Sequence, residues 1–528
     1  MHASQNFRML MIAAAFVLLP LSIERASAHD NHASYSAGEP GDPKKPPEDE
    51  AMAMAQKTWF GDAYYKIGGG GTAWDSFAYD PELNLLYIGV GNGLYWNIDL
   101  RSAGKGDNLF LSSIVAVNAD TGKYVWHYQT TPGDMWDYTA TQHMILADID
   151  WQGSRRPVLM QAPKNGFFYV LDRRNGQLLA ADKFVPVNWA SHVDLTTGRP
   201  VLTGDAEYTQ GPKLVIPSFL GAHSWQPMSF NPKTGYVYLP AQETVAGLEG
   251  QKEPLFLPSK SVVNLGIEVP DVPEDPKVVA QIRQAWKGRL IAWDPAKKAP
   301  AWTVDYASAG NGGTLSTAGN LVFQGTADGR AVAYAADTGT KLWEAPVNSG
   351  AMAGPVTYTV GGEQYVTFMV GWGGALPLVG GPMSLSAKVR PEARVVTFKL
   401  GGQGKLPPPA NAVTALPPLQ TVTASPESLK QARTLYNGMC ASCHGPNAVS
   451  GGVVPDLRYL TPEKHAQFAG IVAGARMVKG MPSFAAVLQP DDVEAIRQYL
   501  IQRSHDLAAE LKTNPVAATA PAPLGGAR

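Results

Sequence analysis

Val115-Ala116-Val117-Asn118-Ala119-Asp120-Thr121-Gly122-Lys123-Tyr124-Val125-Trp126 holds an apolar strand, an Asp-Thr-Gly turn and a second strand closed by tryptophan. Asp-Thr-Gly suits a tight hairpin, and a terminal indole is large enough to pack between neighbouring sheets. The pattern returns as Ala331-Val332-Ala333-Tyr334-Ala335-Ala336-Asp337-Thr338-Gly339-Thr340-Lys341-Leu342-Trp343. A degenerate copy runs from Leu290-Ile291-Ala292-Trp293-Asp294-Pro295 to Trp302, and a fourth, Tyr169 to Gly176, lacks the tryptophan. Regular recurrence favours a β-propeller over the unrelated hairpins of a sandwich. About five blades are legible, over roughly 71–150, 154–190, 223–305, 311–348 and 350–400.

Composition agrees with an all-β body. Among 528 residues, 54 are Gly, 42 Pro, 13 Trp and 20 Tyr, and only 17% are charged, which excludes a helical bundle or coiled coil. A net charge of −2 argues against a nucleic-acid surface. Around the body, 57–402, the chain divides into further segments. Arg8, the apolar run Met9 to Ile23 interrupted by Pro20, and Ala26-Ser27-Ala28 form a cleavable signal peptide, 1–28. The processed chain is therefore expected in a bacterial periplasm, with no transmembrane segment. Residues 29–56 read as an extended lead-in, and 403–426, with Pro407-Pro408-Pro409 and Pro417-Pro418, as a stiff linker. A small all-α unit is expected over 427–505, with a disordered tail over 506–528.

Both cysteines of the chain lie in Cys440-Ala441-Ser442-Cys443-His444, the C-x-x-C-H signature of covalent c-type haem. Both thiols can bond one porphyrin while His444 ligates its iron from the same turn. Ser425 and Pro426 are placed as N-cap and first residue of the helix, about 427–439, that delivers the motif. Met481, pinned by Pro482, is the expected second axial ligand, with Met477 its rival. A final helix over about 490–502 brings Val493, Ile496, Tyr499 and Leu500 to one face. A thioredoxin-like site would need a βαβ context, and zinc would need further ligands nearby.

A propeller followed by a cytochrome c unit resembles the pyrroloquinoline quinone (PQQ)-dependent alcohol dehydrogenases, in particular the soluble quinohaemoprotein type or the related membrane-complex subunit. The residues that carry the resemblance are Gly68-Gly69-Gly70-Gly71-Thr72-Ala73-Trp74-Asp75-Ser76, Gly89-Val90-Gly91-Asn92-Gly93, Pro132-Gly133-Asp134-Met135-Trp136-Asp137-Tyr138-Thr139 and Ala162-Pro163-Lys164-Asn165-Gly166-Phe167-Phe168. The resemblance implies that Trp74 stacks beneath the quinone, Asn92 and Asp137 ligate calcium, and Lys164 hydrogen-bonds the quinone oxygens. It implies that Asp137 is the base that takes the alcohol proton as hydride moves to the quinone, with calcium as Lewis acid. Asp134 reads instead as a turn or cap residue. Lanthanide-using relatives carry an extra Asp where this chain has Thr139, so the calcium type is implied. Electrons would pass to the haem and then to a cytochrome, a cupredoxin or a membrane quinone-linked subunit.

The family's propeller has eight blades, so the resemblance also implies that the first blades are missing. With them would go an adjacent-cysteine disulfide beside the quinone and a carboxylate completing the calcium site. Two other readings stand beside the dehydrogenase: a non-catalytic haem protein with the residual propeller as scaffold, and an inactive truncated reading frame.

Overall fold

The computed structural model describes residues 40–67, 70–253, 265–268, 275–387, 392–407 and 415–513. The expected signal peptide, 1–28, lies outside the described residues. Among the described residues are seven antiparallel sheets, of which five form blades in chain order and two are small, built from strands within 190–202 and 213–268. Blade 1 pairs Phe77–Asp80, Leu85–Gly89, Ser113–Asn118 and Tyr124–Gln129 in chain order. Blade 2 takes Met144–Trp151, Ser154–Gln161, Phe167–Asp172 and Leu178–Lys183. Blade 3 takes Ser229–Asn231, Tyr236–Glu243, Lys287–Asp294 and Ala299–Tyr306, and blade 4 Thr314–Ser316, Leu321–Gly325, Arg330–Ala335 and Lys341–Pro346. Blade 5 has three strands, Val356–Val360, Glu363–Val370 and Arg394–Lys399. Five blades match the number read from the repeats, and the two small sheets were not foreseen. The boundary expected at residue 150 is corrected, because Met144–Trp151 pairs along its whole length with Ser154–Gln161 and opens the second blade.

The period-two alternation of strands explains how the sheets stack. In blade 2, Leu159, Tyr169 and Leu171 face blade 1 and join Tyr87, Ile114, Ala116 and Trp126. Their neighbours Val158, Met160, Phe168 and Val170 face blade 3 and join Val237, Leu239, Ile291 and Trp293. Tyr238, Leu290 and Ala292 then meet Val322, Val332 and Tyr334 of blade 4. Ala331 of blade 4 meets Val366, Phe368, Val370 and Val396 of blade 5. A central strand is thus apolar on both faces, as Phe167–Asp172 is, with all six residues buried. The outer faces of the arc differ. Phe77 and Tyr79 on blade 1, and Val356, Tyr358, Val360, Met369 and Val395 on blade 5, are exposed.

Trp126 and Trp302 each pack onto the turn glycine of the next blade. A Cβ on Gly176 (φ +74°) would lie 2.5 Å from Cε3 of Trp126, and one on Gly339 (φ +72°) 2.7 Å from Cδ2 of Trp302. Trp302 also donates its indole N–H to Ala336 O at 3.0 Å. Trp343 meets Phe398 of blade 5 edge-on, with centroids 4.9 Å apart. Gly176→Ala therefore combines a left-handed backbone with overpacking, a cost of about 2–4 kcal/mol, expected as a lower urea midpoint with unchanged slope.

Three expectations at the ends are corrected. Residues 50–56 of the lead-in form a helix, Glu50–Gln56, capped by Asp49, because Ala51 and Ala55 can bury against Leu109 and Phe110. The last helix runs from Pro490 to Thr513, beyond residue 502 and into the segment expected to be disordered. There Leu507 is buried and Arg503 pairs with Asp506 at 2.7 Å, which carries the helix onward. The described linker residues have no regular structure but are tied down, with Thr423 N–H donating to Gln498 at 2.9 Å and His505 bonded to Gln420 O at 2.7 Å. Among the described residues no helix is long and apolar enough to cross a membrane.

Candidate active site and haem centre

Asp137 sits on the loop between blades 1 and 2, and both of its neighbours are anchored. Trp136 donates its indole N–H to Ala206 O at 2.8 Å, and the Tyr138 hydroxyl donates to Pro217 O. The buried Asp134 carboxylate shapes the turn, accepting from Trp136 N–H, Tyr138 N–H and the Ser112 hydroxyl at 3.0, 3.2 and 2.8 Å. That is the turn role read for Asp134 from sequence. With its neighbours turned into the core, Asp137 points the other way and adopts φ +64°. A non-glycine residue there stores about 1–3 kcal/mol, which the surrounding bonds hold in place.

Lys164 follows the second strand of blade 2 and reaches Asp137, Nζ to Oδ2, at 2.8 Å. The side chains are only 10% and 16% exposed, so the pair is shielded from water. Burial pushes the Asp137 carboxyl up to about 6, Lys164 pulls it back down, and Asp134 adds a smaller upward push.

Trp74 and Asn92 lie on two loops of blade 1 that are laced together. Gly71 N–H donates to Asn92 O at 2.7 Å and Gly91 N–H to Thr72 O at 3.2 Å. Ser112 ties them to the Asp137 loop, giving its N–H to Gly91 O at 2.9 Å and its hydroxyl to Asp134. The Trp74 indole is 43% exposed, unusual for tryptophan here and suited to a flat ligand. Next to it, Asp75 has a buried Oδ2 without a hydrogen-bond partner, and burial raises its carboxyl to about 6. Nothing in the sequence singles out Asp75. An available indole, a buried ammonium and a raised carboxyl fit a planar anionic quinone. Calcium fits less well. The Asn92 amide N–H donates to Gly93 O at 3.4 Å, leaving its oxygen for a cation. Asn92 and Asp137 alone do not furnish the roughly six to eight oxygens calcium takes. Among the described residues no cluster of three or more His, Cys, Asp or Glu comes together. Thr139 is buried and bonded to Thr141 and Gln142 at 3.1 and 2.9 Å.

The helix that leads into the cysteine motif forms where its sequence predicts. Helix Pro426–Met439 is capped by Ser425, whose hydroxyl accepts from Ser428 N–H, and leads into the short helix Ala441–His444. His444 N–H donates to Cys440 O at 2.9 Å, so both thiols and the imidazole share one turn. His444 Nδ1 faces Pro455 O at 3.0 Å. This orientation leaves Nε2 for iron, with the backbone carbonyl as the partner that fixes the ring. Burial, with Cys443 adding to it, pushes the Cys440 thiol up to about 12. Met481 packs against the core of Tyr436, Phe468, Phe484, Ile496, Tyr499 and Leu500, which Cys440 also touches. Met477 is 59% exposed.

The motif loop sits directly on the propeller. A Cβ on Gly451 would fall 1.7 Å from Pro377 O, and one on Gly445 would fall 3.3 Å from Gly381 Cα. Glycines leave the backbone of the haem loop in contact with the Leu376–Met383 segment of blade 5.

Comparison with known proteins matches two separate parts of the chain to known domains. Residues 45–194 and 279–366 match the glucose/ethanol/alcohol dehydrogenase β-propeller domain, and 427–500 match cytochrome c oxidase, cbb3-type, subunit III. Quinohemoprotein alcohol dehydrogenase ADH-IIG of Pseudomonas putida is 60% identical over 477 residues, covering 89% of this chain and 66% of that one. The quinohemoprotein alcohol dehydrogenase of Comamonas testosteroni is 46% identical, covering 87% and 64%. The solved structure of the Pseudomonas putida ADHIIG enzyme superposes with a TM-score of 0.87 at 57% identity, over 91% of this chain and 70% of that one. The chain belongs to the quinohaemoprotein alcohol dehydrogenases. It spans about two thirds of the length of these curated relatives.

Proposed function

We propose that this chain acts outside the cytoplasm as an alcohol dehydrogenase, converting alcohols to aldehydes or ketones with PQQ and one covalent haem c. The observation that carries the reading is the buried Lys164–Asp137 pair, its Asp137 loop tied through Ser112 and Gly91 to the loop of the exposed Trp74, in a chain that also bears the haem motif. PQQ, when bound, supplies a two-electron quinone acceptor. Trp74 offers it a flat floor, and the Lys164 ammonium stabilises negative charge on its oxygens. Asp137 takes the alcohol hydroxyl proton on its carboxylate, for which its raised affinity suits it near neutral pH. Calcium at Asn92 and Asp137 would require further oxygen donors, so no step is assigned to it. Haem, attached to Cys440 and Cys443 and ligated by His444 and Met481, supplies a one-electron carrier in the same chain.

The test is addition of PQQ, calcium and a primary alcohol to the purified holocytochrome, with and without an artificial electron acceptor. Alcohol-dependent growth of the reduced haem band, lost in Lys164→Ala, is the expected result. A haem that dithionite reduces but alcohol does not would leave the non-catalytic haem carrier in its place. The methionine assignment has its own test. Met481→Ala should lower the haem potential and remove the thioether–iron absorbance, because Met/His ligation raises the potential. Met477→Ala should change neither in a redox titration.

A further inference from the structure

We propose that the Gly221-Ala222-His223 turn is a positioning clamp that aims Lys164 at Asp137, a role that rests on the function proposed above for Lys164. Lysine has a flexible four-carbon stem and loses much rotamer freedom when fixed. Something must therefore hold it in the ion pair. The turn does so from three sides. Ala222 N–H donates to Lys164 O at 2.9 Å. The buried His223 ring spans two carbonyls, Nδ1 to Ala162 O at 2.6 Å and Nε2 to Gln226 O at 2.7 Å. Burial pushes its pKa down to about 4, while the two carbonyls, both acceptors, pull the other way. Between these anchors the Lys164 stem lies flat on Gly221. A Cβ there would be 2.3 Å from Lys164 Cγ, 2.6 Å from its Cβ and 2.9 Å from its Cα.

The turn cannot retreat from the lysine. Gln242 of blade 3 donates from its side-chain amide to Gly221 O at 3.0 Å and to Leu220 O at 3.2 Å, and its backbone N–H donates to Ala222 O at 2.7 Å. Gly221 itself holds φ +81°, with its N–H given to Ser218 O at 2.8 Å. Blade 3 therefore presses a bare backbone face against a blade 2 side chain. A side chain at 221 would collide with Lys164 Cα and Cβ, which no rotamer change can move, so the whole lysine must shift away from Asp137.

Acetic anhydride labelling of the full chain, read by peptide mass spectrometry against the exposed Lys341, measures the lysine directly and needs no cofactor. In Gly221→Ala the Lys164 rate should rise about tenfold, as its buried ion pair opens, while other lysines and the melting temperature of the C-terminal unit stay unchanged. His223→Gln keeps one donor and should give a smaller rise, which serves if Gly221→Ala does not fold. PQQ affinity, from tryptophan quenching, supplies the second readout. Gly221→Ala should weaken it, and should weaken it no further on a Lys164→Ala background. An unchanged Lys164 labelling rate in both folded variants, or additive losses of affinity, would overturn the clamp. Unchanged affinity in Lys164→Ala would instead overturn the proposed function of Lys164, while the labelling rates still decide the clamp.

Discussion

Asp137→Asn should lower the rate of alcohol-driven haem reduction by about 10²–10⁴-fold, the contribution of a positioned general base. Asparagine is close in size and can accept from Lys164, so the loop held by Trp136, Tyr138 and Asp134 should persist and the haem spectrum should not change. The same residue sets the pH dependence. A base must be unprotonated to act, and burial raises this carboxyl to about 6, so the wild-type rate should climb as pH passes through that value. Stability runs in the opposite direction. A carboxyl whose folded value is raised from 3.8 to about 6 holds its proton more tightly in the folded chain than in the unfolded one. Its contribution is therefore fully present below 3.8 and is lost as pH rises through about 6. Asp137→Asn should remove both slopes, measured as a pH–rate profile and as urea midpoints across the same range. A wild-type rate that does not vary between pH 5 and 8 would count against Asp137 as the base.

Replacing Cys440 and Cys443 by serine should abolish covalent haem and unfold the C-terminal unit while the blades stay folded. The cluster under the motif is small, with Ala432, Tyr436, Ala441 and Ala448 among its fully packed members, and Cys440 and Met481 stand at its edge. So small a core gains much of its stability from a bound group, as small metal- or cofactor-dependent domains do. Expected results are no haem stain on a denaturing gel, loss of helical circular dichroism from Pro426–Met439 and Pro490–Thr513, and an unchanged near-ultraviolet signal from the blade tryptophans. A fully helical, haem-free C-terminal unit would show that its core suffices alone.

The residues legible in sequence are those whose chemistry is local. Cys440, Cys443 and His444 fall within one turn, so their spacing alone states that they can grip one group. Ser425 with Pro426, and Asp120-Thr121-Gly122, act through bonds to residues two to four positions away. Alternation in Phe167–Asp172 determines which side chains meet which neighbouring sheet. Trp74, Asn92, Asp137 and Lys164 were found through resemblance to a family, because no spacing along the chain connects them.

What only the tertiary structure decided is how distant backbones approach. That Lys164 is paired to Asp137, 27 positions away, follows from two blades lying side by side. Gly221, Gly445 and Gly451 carry no chemistry of their own, and a sequence offers no reason to choose them among 54 glycines. Their importance is the space a missing Cβ leaves for Lys164, Gly381 and Pro377. The lead-in helix and the extension to Thr513 have the same origin, since Ala51, Ala55 and Leu507 become buried only once the surfaces that cover them are assembled. Covalent spacing and hydrogen-bond periodicity are written in the order of residues, whereas burial and close contact are properties of surfaces brought together by the fold.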